Sequence, residues 1–169
     1  MFQANQPLSP SEREALLIQF YNDPVDFMQT CLDRWFYEPM SWVHRGFIAL
    51  ITKKTRFLSK YGDLEKILQG FVYRKIDPWN EEEETFPIFQ WGDESKTWLT
   101  FAATRFLEIM MPRGIGKTTL TEGCCVWLGC CTEKNFPMLI GETATHVENI
   151  QRNIRNEFEV TENIKLIFG

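Results

Sequence analysis

The stretch MPRGIGKTTL, residues 111–120, decides how the rest of the chain is read. A phosphate-binding loop of the Walker A type has Gly, four residues, then Gly-Lys-Ser/Thr. Gly116, Lys117 and Thr118 supply the second half, while Met111 stands where the first glycine belongs. Phosphate needs backbone N–H groups converging on one point, a helix N-terminus behind them, and a cation. Gly114 and Gly116 permit the torsions of such a cradle. Lys117 has the length to reach the outer phosphates, and the Thr118 hydroxyl is a ligand for Mg2+. Met111 then reads as the last residue of a buried strand, Pro112 as the turn, and Arg113 as a second permanent cation suited to phosphate oxygens. The alternative is a glycine turn that carries a lysine by accident.

The flanks favour the loop. RFLEIMM (105–111) has the large apolar residues of a buried strand and runs into Pro112. An amphipathic helix is expected from about Lys117 to Cys131, with Leu120, Cys124, Trp127, Leu128 and Cys131 on one face. PMLIGE (137–142) reads as a second strand, and a helix follows with Val147, Ile150, Ile154 and Phe158 inward. Thr145-His146-Val147-Glu148 is a candidate capping box for it. Residues 164–168 read as a third strand or the end of a connection. Strand, glycine loop, helix, strand, helix is the opening of an α/β parallel sheet of the P-loop kind, here incomplete.

Upstream the chain is helical. Ser9-Pro10-Ser11-Glu12 is a helix start, with an N-cap serine, proline at the first helical place and glutamate three residues on. Asp23-Pro24 repeats that grammar and opens a second helix, expected to run to Pro39 and to present Val25, Phe27, Met28, Cys31, Leu32 and Trp35. SWVHRGFIALITKKTRFL (41–58) reads as a third helix, and Gly62-Asp63 opens a short fourth through Leu68. Residues 75–95, rich in acids and aromatics, read as an extended loop. The expected organisation is a helical segment over 1–75, an acidic and aromatic loop over 76–97, and the start of a nucleotide domain over 98–169.

Composition sets the limits. At 169 residues, 44% apolar and 14% aromatic, the chain can bury a real core and is no candidate for disorder. It has no apolar run near the ~20 residues of a membrane span and no basic-then-apolar leader, so the expectation is a soluble, intracellular protein without membrane attachment. Five cysteines, two of the pairs adjacent, match neither a disulfide framework nor zinc-knuckle spacing, and read as small residues packing a helix. The net charge of −5 is unevenly spread: residues 41–76 carry +6 and residues 77–95 carry −7. Such blocks are solvated faces or partner surfaces.

PRGIGKTTL, with Pro-Arg before the glycine loop and no leading glycine, resembles the Walker A of the large terminase subunits of tailed bacteriophages, the ATPases that pump DNA into empty capsids. NDPVDFMQTCL (22–32) with SWVHRGFIALI (41–51) is similar to the helices upstream of that family's nucleotide domain, and residues 137–169 resemble its second strand and long helix. The resemblance implies ATP and Mg2+ held by Gly114, Ile115, Gly116, Lys117, Thr118 and Thr119, with metal contact from Thr118. Thr119 by itself reads more as a helix residue than a ligand. It also implies catalytic roles for Lys117 and Arg113, and an adenine contact near His44 and Arg45, where this sequence has His44 in the place of the family's usual glutamine. Partners implied are double-stranded DNA, a portal protein, a small terminase subunit and further copies in a ring, in the host cytoplasm. A helicase-like translocating NTPase and a non-catalytic nucleotide-dependent interaction module are the other readings.

An ATPase also needs a Walker B, an apolar run ending in an acid pair, to position Mg2+ and water. The sequence has none: Glu108 precedes the loop and Glu142 ends a strand without the rest. The family's nuclease acids are missing as well. The chain therefore reads as an amino-terminal portion, with weak ATP binding and negligible hydrolysis expected of it alone.

Overall fold

The computed structural model describes residues 8–76, 83–92, 99–101, 114–133 and 143–169. They form a helix-rich, mixed α and β structure that divides into two compact units, one from residues 1–40 with 111–169 and one from 41–110.

The first unit is all helix among its described residues: α1 (Pro10–Asn22), α2 (Pro24–Cys31), and later α5 (Lys117–Cys131), α6 (Ala144–Val160) and α7 (Glu162–Phe168). The caps of α1 and α2 follow the sequence. Ser9 Oγ accepts from Glu12 N–H while Ser9 N–H donates to Glu12 Oε2 at 2.9 Å, closing the capping box. That bond from the Ser9 hydroxyl and backbone holds the Glu12 carboxyl below its ordinary pKa. Asp23 Oδ1 accepts from Asp26 N–H at 3.0 Å and caps α2.

The helices meet over Phe20, Val25, Phe27, Met28, Leu120, Cys124, Val126, Trp127, Ile164 and Ile167, all buried. Phe27 packs edge-on against Phe20 (5.7 Å between centroids) and Phe168 (5.9 Å). Helix ends leave carbonyls without intrahelical partners, and side chains from distant elements meet them here. Trp127 Nε1–H donates to Phe20 O at 2.8 Å, Asn163 Nδ2 to Thr30 O at 2.8 Å, and Arg13 to Ile167 O at 2.5 Å and Gly169 O at 2.6 Å.

The second unit carries α3 (Trp42–Thr52), a 3-10 helix (Arg56–Tyr61) and α4 (Leu64–Gly70), then strands β1 (Val72–Ile76), β2 (Glu83–Pro87), β3 (Phe89–Trp91) and β4 (Leu99–Phe101). β1 pairs antiparallel with β2 and β3 with β4. Its core gathers Phe47, Ile48, Leu50, Phe57, Leu58, Ile67, Phe89 and Leu99. Gly46 lets α3 approach Phe71, whose ring would stand 2.3 Å from any Cβ placed there. Phe71 in turn packs edge-on against Trp42 and Phe89.

Several expectations are corrected. The helix over 41–58 stops at Thr52: Lys53 turns left-handed at φ 58°, and the chain continues as a 3-10 turn that buries Phe57 and Leu58. The second helix ends at Cys31 rather than near Pro39, because a tight turn through Leu32 buries Leu32 and Phe36. The fourth helix spans Leu64–Gly70, and Asp63 at its start gives its side chain to Arg45 instead of capping. The loop proposed for 75–95 is in part β1, β2 and β3. Residues 164–168, read as a strand or connection, lie in α7, with Ile164 and Ile167 turned into the core. The cap of α6 is Thr143, whose hydroxyl accepts from His146 N–H at 3.2 Å, not Thr145.

Every pairing among the described strands is antiparallel. The strands expected at 105–111 and 137–142, on which a parallel sheet rests, lie outside the described residues, as do Glu108, Arg113 and Glu142. Among the described residues no helix is long and apolar enough to cross a membrane.

Trp127→Phe keeps an aromatic side chain but removes the donor to Phe20 O together with one ring of the indole. We expect a loss of at least about 1–3 kcal/mol, the range for a buried carbonyl left unsatisfied, with the cost of the smaller ring added, read by urea unfolding. An unchanged midpoint would contradict the role given to this bond.

Candidate functional site

Gly114 and Gly116 both have positive φ, 86° and 74°. Nothing lies within 4 Å of a Cβ built at either position, so torsion and not crowding demands glycine. Gly116 is the left-handed N-cap of α5, and no side chain caps that helix. The first helical hydrogen bond runs from Leu120 N–H to Gly116 O at 2.9 Å. The N–H groups of the first turn, from Lys117 to Thr119, carry the positive end of the helix dipole. Lys117 and Thr119 are half-buried, Ile115 is half-buried, and Thr118 is exposed. Helix starts framed by glycine in this way are a general setting for oxyanion binding.

The amphipathic face assigned to α5 holds for Leu120, Cys124 and Trp127, which are buried, while Leu128 and Cys131 are half-buried. All five cysteines are free. Burial raises the thiol pKa of Cys31 and Cys124 far above the ordinary value, that of Cys130 to about 12, and that of Cys125 as well. Such thiols stay protonated and serve as packing groups. Among the described residues no group of three or more His, Cys, Asp or Glu could hold a metal ion.

His44 and Arg45, the pair expected near adenine, belong to the second unit and have structural contacts there. Ser41 N–H donates to His44 Nδ1 at 3.3 Å, and Ser41 Oγ accepts from His44 N–H, so His44 fills the place a glutamate takes in most capping boxes. Arg45 pairs with the buried carboxylate of Asp63 and lies over the Tyr61 ring, 4.8 Å from its centroid.

Sequence reasoning missed what stands behind the loop. A cavity of about 320 Å3 is lined by Trp35, Thr119, Glu122, Asn153, Asn156 and Glu157. Glu122 and Glu157 are each only 5% exposed. In α6, Phe158, expected inward, is 39% exposed, and its neighbour Glu157 faces the interior instead. Glu157 is met by Arg34, whose Nη2 donates to both carboxylate oxygens at 3.4 Å, and by the Thr161 hydroxyl. Glu122 Oε1 accepts from Asn153 Nδ2 at 3.1 Å. Burial raises the Glu122 pKa, opposed by that hydrogen bond and by the charge of His146. The signal was present in the sequence: Glu122 is the sole acid in KTTLTEGCCVWLGCC. With the geometry in view, no family model, curated protein or solved structure matches the chain.

Because its pKa is raised on folding, Glu122 contributes most to stability at low pH, and that contribution is lost as pH rises through the raised value. Glu122→Gln retains an acceptor for Asn153 and removes the charge. It should raise the melting temperature at neutral pH and make little difference near pH 4. A variant equally displaced at both pH values would contradict this assignment.

Proposed function

We propose that the loop from Gly114 to Thr119 binds the phosphates of ATP with Mg2+, as the nucleotide site of a DNA-packaging motor of the large terminase class. The observation that carries this reading is the pair of positive-φ glycines feeding an uncapped helix that begins Lys117-Thr118. In it, the N–H groups of the helix start and the Lys117 ammonium hold the phosphates, the Thr118 hydroxyl holds Mg2+, and Arg113 adds a second cation. ATP supplies the energy of translocation in such a motor. The residues of this chain bind and orient it.

On this reading residues 105–111 and 137–142 are parallel strands flanking α5, the arrangement that aims a glycine loop at phosphate in P-loop proteins. The wider role follows from the sequence resemblance: an amino-terminal ATPase portion acting on double-stranded DNA in the host cytoplasm, with a portal protein, a small subunit and further copies of the motor chain.

Titration of the chain with a fluorescent ATP analogue tests the loop. Saturable, magnesium-dependent binding is expected, weakened at least about tenfold, or 1.4 kcal/mol, by Lys117→Ala. Thr118→Ala should remove the magnesium dependence. Binding that ignores Lys117→Ala would overturn the assignment.

A further inference from the structure

We draw no further inference here: the strongest candidate, the cavity of the first unit lined by Trp35, Thr119, Glu122, Asn153, Asn156 and Glu157, carries nothing, because every buried polar side-chain atom among the described residues has a hydrogen-bond partner and nothing in the structure points to a ligand for it.

Discussion

The bond from the Trp127 indole to the Phe20 carbonyl orders the first unit. Trp127 is fully buried, and its N–H would be an unsatisfied donor anywhere else in that core. Phe20 lies in the last turn of α1, where carbonyls lack helical partners, so one contact resolves two needs. It also fixes the rotation of α5 about its axis. Once Trp127 points at α1, Leu120 and Cys124 face the same core, and the opposite end of the helix presents Lys117 and Thr118 at the glycine loop. The loop therefore inherits its aim from a contact three turns away.

The same rotation has a less comfortable result. Glu122, two residues past Leu120, is carried into the interior with nothing apolar about it. Asn153 donates to it, and burial raises its pKa because the charged form is held out of water. Natural chains tend to lose such groups unless they serve a purpose, since most interior acids lower stability. In the second unit the corresponding problem is solved internally: buried Asp63 is met by Arg45.

Local signals in the sequence were legible where they are short-range and chemical. Ser9-Pro10-Ser11-Glu12 and Asp23-Pro24 gave both helix starts, because a cap is decided within four residues. The glycine loop was legible because positive φ is nearly exclusive to glycine. Helix ends were not. Nothing in ITKKTRFL announces that Lys53 turns left-handed, and the turn follows from the burial of Phe57 and Leu58 by other elements. Residues 164–168, apolar and β-branched in part, read as a strand or the end of a connection, yet α7 buries Ile164 and Ile167 at helical spacing. The cavity escaped because it joins Trp35, Thr119 and Asn153 from three separate helices or turns, a relation no linear pattern records.

Arg13 closes the first unit by binding the carbonyls of Ile167 and Gly169, across more than 150 positions of sequence. Residues 41–110 form the second unit between the two halves of the first. On a ribosome, which releases the chain from its amino end, α1 and α2 emerge with Phe20, Phe27 and Met28 uncovered and must wait for α5 to α7. The first unit is thus discontinuous in sequence, and its core is complete only when α5 to α7 join α1 and α2.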